Sequence, residues 1–165
     1  MVWAIAAGEM RIAFLLFLLA GLSDLVDGYL AKRFNMATEL GAYLDPLADK
    51  ALIVSVYVTL GIAGAIPQWL VILVVSRDIM IVTAVILSWL VNKPVTLKPH
   101  MVSKLNTVAQ ILLALVVLAS LAFEFEGTLV IQGLTALVAI LTLASVVFYI
   151  GEWVRHMNGG TGGPT

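Results

Sequence analysis

Three long stretches of this chain contain no Asp, Glu, Lys or Arg: residues 51–76, 105–123 and 127–151. A helix needs roughly 20 apolar residues to cross about 30 Å of hydrocarbon, so each stretch is long enough to span a bilayer. The runs are continuous rather than alternating, which excludes a transmembrane barrel and leaves helices. Composition agrees: 62% of the residues are hydrophobic and 12% charged, against about 25% charged in a soluble domain. A water-soluble fold of this size has no means of hiding so much apolar surface. The formal net charge of −1 gives no electrostatic footprint for nucleic acid, so no nucleic-acid partner is expected. With no Cys, disulfides, thiol catalysis and Cys-ligated metals are excluded. The fold class that remains is an all-α polytopic transmembrane helix bundle.

The breaks between apolar segments predict about five spans, near residues 10–33, 40–62, 67–92, 101–123 and 127–150. Asn35 to Thr38 is a polar interruption, Gly61 to Pro67 is rich in helix breakers, and residues 92–100 hold Asn92, Pro94 and Pro99. Glu124, Glu126 and Gly127 close the fourth span. The Gly-rich stretch 158–165 reads as a disordered tail after a single membrane domain over 1–157. Residues 1–22 lack the basic flank and the small-residue cleavage site of a signal peptide. Lys32, Arg33, Lys93, Lys98, Lys104 and Arg155 fall at one set of helix ends, whereas the loops near 62–66 and 124–127 have no basic residue. By the positive-inside rule those basic ends face the cytoplasm. The four Trp (Trp3, Trp69, Trp89, Trp153) lie near helix ends, where an interfacial belt accounts for them.

Five carboxylates, Asp24, Asp27, Asp45, Asp49 and Asp78, sit inside otherwise apolar helices, together with Lys50 and Arg77. Each ionised side chain in a span costs about 2.5–3.5 kcal/mol on insertion scales, so the group needs compensation. Asp24 and Asp27 are i, i+3; Asp45 and Asp49 are i, i+4. Each pair shares one face of its helix. A short turn makes the two helices neighbours on which the pairs can face each other. Four such carboxylates must be protonated, paired with cations, or bound to metal. All-oxygen ligands suit hard ions, Mg²⁺ or Mn²⁺, and two divalent ions would balance the four charges. A salt-bridge network with Lys32, Arg33, Lys50 and Arg77 is the structural alternative, though basic partners within the spans are fewer than acids. A cation or proton pathway is the other, but polar residues do not continue toward the far side.

Residues 24–49 read DLVDGYLAKRFNMATELGAYLDPLAD. This resembles the signature of the CDP-alcohol phosphotransferase family, D-x2-D-G-x2-A-R-x8-G-x3-D-x3-D. Asp24, Asp27, Gly28, Ala31, Gly41, Asp45 and Asp49 all fall in place. Ser76-Arg77-Asp78 and the stretch Leu97-Lys98-Pro99 to Ser103-Lys104-Leu105-Asn106-Thr107 are similar to the cardiolipin synthase branch. The phosphatidylglycerophosphate synthase branch usually has a second Arg eight positions after the first, where this chain has Val85.

The resemblance implies an integral-membrane enzyme of phospholipid synthesis. It would move a phosphatidyl group from CDP-diacylglycerol to the hydroxyl of phosphatidylglycerol, giving cardiolipin, and release CMP. Glycerol 3-phosphate is the alternative acceptor. A non-enzyme alternative is an inactive or truncated metal-binding membrane protein. It also implies two divalent ions held by Asp24, Asp27, Asp45 and Asp49, with Asp49 as general base. Gly28, Ala31 and Gly41 would make room for the cytidine, with Lys32 at the phosphates. Arg77 and Lys104 would bind the acceptor phosphate; a structural pair with Asp78 is the other reading of Arg77. A homodimer and a bacterial inner or mitochondrial inner membrane location are implied too, with the site toward the cytoplasm or matrix. Two departures stand out. Lys32 replaces the signature Arg, keeping the charge but losing bidentate recognition. The P-N-x-L-S/T-x2-R stretch that opens the family's first of six helices has no match, so five spans are expected.

Overall fold

The computed structural model describes the backbone of residues 1–34, 39–90 and 101–158, and within these the side chains of all but residues 24, 25, 27–34, 39–49, 84–90 and 152–158. Among the described residues every regular element is an α-helix: α1 (Val2–Ala6), α2 (Met10–Phe34), α3 (Glu39–Ile62), α4 (Gln68–Leu90), α5 (Met101–Phe123) and α6 (Thr128–Asn158). The five long helices are the five expected spans. The apolar stretches Met101–Phe123 and Thr128–Gly151 are each long enough to cross a membrane, with mean hydropathies of 2.1 and 2.3. The expected interruption at 35–38, the loop at 92–100 and the tail from 159 lie outside the described residues.

Local chemistry sets the helix ends. Gly64 follows α3 at φ +73°, a left-handed conformation that costs glycine nothing. Its N–H bonds to the Gly61 carbonyl at 3.1 Å and the Ala65 N–H to that of Leu60 at 2.9 Å. That pair of bonds is the Schellman closure of a helix C-terminus. Gly8 closes α1 the same way, with bonds from Gly8 to Ile5 and from Glu9 to Ala4. Pro67 stands at the entry of α4, where a missing N–H costs little.

The long helices run antiparallel in sequence. α5 packs most extensively on α6 and on α2; α4 packs on α3 and α6, and the short α1 lies against α2 and α3. Tyr57, Leu60, Leu70, Val74, Leu113, Leu118 and Val138 fill the centre and are fully buried. Leu19, Ile72, Ile140 and Val147 point outward and are more than half exposed. That inverted surface suits hydrocarbon, not water. At the end holding the α2 start and the α5 terminus, Phe14 meets Phe123 edge to face with centroids 5.4 Å apart. There Arg11 Nε donates to the Ala122 carbonyl at 3.2 Å, placing a cation on the last carbonyls of α5. Trp3 and Trp69 are exposed at this end, as a belt requires.

Candidate functional site

The helix segments that carry the signature residues lie toward the opposite end of the bundle. α2 carries Asp24, Asp27, Gly28, Ala31 and Lys32; α3 carries Gly41, Asp45 and Asp49. The side chains of these residues lie outside the described ones. What their helices do just beside them is described. Phe17, Ala20 and Gly21 of α2, Leu52 and Ile53 of α3, and Thr107 and Ile111 of α5 line one open cleft of about 130 Å³. Ala20 and Gly21 lie one turn before Asp24, and Leu52 and Ile53 lie one turn after Asp49. Residues one turn from each aspartate-bearing segment therefore line the same mainly apolar cleft. Among the described residues there is no group of three or more His, Asp or Glu.

Arg77 is described in full. It is buried, with 2% of its surface exposed, in the middle of α4. Its Nη1 donates to Asp78 Oδ1 at 2.6 Å. Its Nη2 donates to Ser103 Oγ of α5 at 2.6 Å and to Ser145 Oγ of α6 at 3.0 Å, and Nε reaches Ser145 at 3.2 Å. The guanidinium carbon sits 5.9 Å from the centre of the Tyr149 ring. The same Asp78 oxygen accepts Lys50 Nζ of α3 at 2.9 Å. The pairing with Asp78 considered for Arg77 thus forms, and around it the guanidinium links three helices while Lys50 adds a fourth. Lys104, the other residue expected at an acceptor phosphate, is exposed beside Ser103 and makes no ion pair among the described residues.

Below this layer lies a second that the sequence analysis missed. Thr142 Oγ1 donates to Asn106 Oδ1 at 3.0 Å, both residues being fully buried. Tyr57 Oη donates to the Gln110 carbonyl at 3.0 Å. The side-chain amide nitrogens of Asn106 and Gln110 are buried without a partner among the described residues. Ser103, Asn106 and Gln110 are i, i+3, i+7 on α5, and Ser145, Thr142 and Thr135 run back along one face of α6 at i, i−3 and i−10. That helical spacing was the available signal: two polar stripes on antiparallel neighbours make a seam.

Residues 1–151 match the family model described as CDP-alcohol phosphatidyltransferase. The chain belongs to the CDP-alcohol phosphatidyltransferase family. Among relatives, the cardiolipin synthase (CMP-forming) of Homo sapiens is 36% identical over 157 residues, covering 86% of this chain and 52% of that protein. A probable phosphatidylglycerophosphate synthase of Mycobacterium tuberculosis is 29% identical over 150 residues, covering 90% and 68% respectively. The CDP-diacylglycerol–glycerol-3-phosphate 3-phosphatidyltransferase of Bacillus subtilis is 34% identical over 111 residues, covering 67% and 56%. The chain spans about half the length of the human relative. Within this member of the family, then, the signature residues lie on α2 and α3, and the Arg77 cluster joins α3 to α4, α5 and α6.

Proposed function

We propose that the chain is an integral-membrane phosphatidyltransferase that moves the phosphatidyl group of CDP-diacylglycerol to the hydroxyl of phosphatidylglycerol, releasing CMP. The observation that carries this reading is the placement of the complete aspartate signature on two helices that adjoin one cleft. A mainly apolar cleft beside a polar centre suits a lipid donor, whose chains stay in hydrocarbon while its pyrophosphate meets the charged residues.

The donor set is four carboxylates, so it fits hard divalent ions, Mg²⁺ or Mn²⁺, and rejects soft ones. Asp24, Asp27, Asp45 and Asp49 would hold two such ions. Bound there, the ions would offset the charge of the pyrophosphate and of the departing CMP. Asp49 takes the proton of the acceptor hydroxyl as general base, a role worth about 10²–10⁴-fold. Gly28, Ala31 and Gly41 leave space for the cytidine, and Lys32 meets phosphate as a point charge. Arg77 and Lys104 make the acceptor-phosphate end. With four N–H contacts already engaged by Asp78, Ser103 and Ser145, Arg77 acts there through its charge from beneath.

Glycerol 3-phosphate is the second reading, favoured by the likeness to the mycobacterial and Bacillus relatives. A phosphomonoester has more charge than a phosphodiester and wants more cations; Val85 stands where a second Arg would supply one. In this reading the reaction takes place in a bacterial inner or mitochondrial inner membrane, with the site toward the cytoplasm or matrix. A homodimer belongs to the same proposal, and cross-linking in native membranes tests it. The deciding experiment measures CMP release from CDP-diacylglycerol with each acceptor. Faster turnover with glycerol 3-phosphate reverses the choice of acceptor. Absence of release with either, while metal still binds, leaves a metal-binding membrane protein. Asp49→Asn should abolish transfer, and a variant that keeps most activity removes Asp49 from the role of base.

A further inference from the structure

Asp78 Oδ1 stands between two cations, 2.6 Å from Arg77 Nη1 and 2.9 Å from Lys50 Nζ. Among the described residues, two positive charges against one carboxylate leave this triad one positive charge in excess. Inside a bilayer an excess charge is costly unless an anion offsets it. The two cations are not equivalent. The Arg77 side chain is 2% exposed and is gripped by two hydroxyls as well as the carboxylate, whereas the Lys50 side chain is 37% exposed and Asp78 is its only ion-pair partner among the described residues. The ammonium is therefore the accessible end of the excess charge. It has three N–H donors, of which Asp78 takes one.

We propose that Lys50, held in place by Asp78, directly contacts the phosphate of the acceptor. Asp78 is then a positioning residue: it anchors the Lys50 ammonium to α4 and holds it at the exposed edge of the Arg77 cluster. Arg77 is the fixed base of that arrangement, and its charge keeps Asp78 from cancelling Lys50. The phosphate recognised is that of a glycerol phosphate, free or esterified to lipid. Position supports the assignment, because Lys50 directly follows Asp49 on α3, within one turn of the proposed base. The inference rests on the phosphatidyltransferase reading for its substrate, but not for its anion.

The test compares wild type with Lys50→Gln and Lys50→Arg, in detergent with Mg²⁺ present. Lys50 is half-exposed, so the variants retain the fold. Two measurements are made: equilibrium binding of glycerol 3-phosphate and of dihexanoyl-phosphatidylglycerol, and steady-state CMP release. Lys50→Gln should weaken binding of the preferred phosphate and raise the KM for acceptor about tenfold, the effect of losing a charge-assisted hydrogen bond. KM for CDP-diacylglycerol and kcat should stay within about twofold, and Lys50→Arg should restore most of the loss. A purely structural lysine would not separate acceptor KM from donor KM. If phosphate binding depends on Lys50 but neither acceptor yields CMP, the anion site stands and the phosphatidyltransferase reading falls. Unchanged binding in Lys50→Gln, a rise in donor KM instead, or no phosphate binding by wild type overturns the proposal.

Discussion

Thr142 and Asn106 fasten α6 to α5 through one hydrogen bond of 3.0 Å, made where neither residue has any exposure. In hydrocarbon no water can replace a lost partner, and the Asn106 amide nitrogen already lacks one among the described residues. Thr142→Val keeps the shape and deletes the donor. It should lower stability by about 1 kcal/mol, read by thermal unfolding in detergent, with Thr142→Ser near wild type. Equal stability of the Val and wild-type proteins would show that the bond contributes nothing net.

Gly61 sets how closely α3 approaches α4. A Cβ placed there would lie 2.7 Å from Val71 Cγ2, and a β-branched side chain has little freedom to yield. Gly133, inside α6, has nothing within 4 Å of the same position. Gly→Ala at an open helical site should stabilise by about 0.5–1 kcal/mol, because the unfolded chain loses freedom. Gly133→Ala should therefore raise the unfolding temperature and Gly61→Ala should lower it. Val71→Ala in the Gly61→Ala background should recover part of the loss. Two glycine variants of equal stability would mean the helices do not pack this closely.

Apolar run length made the five long helices legible, since hydrocarbon thickness constrains it directly. It misplaced the end of the last one: charge-free sequence stops at Gly151, but α6 continues to Asn158. The apolar rule marks the edge of the hydrocarbon, whereas backbone hydrogen bonding continues beyond it through Glu152 and Arg155. α1 was invisible because five residues give no period to read. The aspartates stood out in the sequence by their spacing and their match to the signature, and their side chains lie outside the described residues. The partners of Arg77 were only half so: Asp78 is its sequence neighbour, but Ser103 and Ser145 lie 26 and 68 residues away. Only the packing of α4 against α5 and α6 brings them together.

Removing Asp78 and removing Lys50 should have unequal consequences, although they share an ion pair. Asp78 is buried and compensates two cations; its loss leaves Arg77 charged and buried without a carboxylate partner among the described residues. Breaking a buried pair in this way costs about 3–5 kcal/mol. Lys50→Gln leaves the Arg77–Asp78 pair whole and removes a half-exposed partner, worth at most about 1 kcal/mol. Asp78→Asn should thus be strongly destabilised or poorly expressed while Lys50→Gln folds normally. Similar losses in both variants would contradict the burial difference between the two side chains.

Divalent metal should stabilise the chain independently of any turnover. In the proposed site four like charges repel unless cations offset them, and ligand binding to the folded state alone adds RT ln(1 + [L]/Kd). At a hundredfold excess over Kd that amounts to about 2.7 kcal/mol. Chelation with EDTA should lower the unfolding temperature and abolish CMP release together, and Mg²⁺ or Mn²⁺ should restore both. Asp27→Asn should shrink the metal-dependent rise without matching the large loss expected of Asp78→Asn, because it removes a repelling charge along with a ligand. An unfolding temperature indifferent to EDTA, in wild type as in Asp27→Asn, would separate the aspartates from metal. The same carboxylates would then have to be protonated or paired with Lys32 and Arg33.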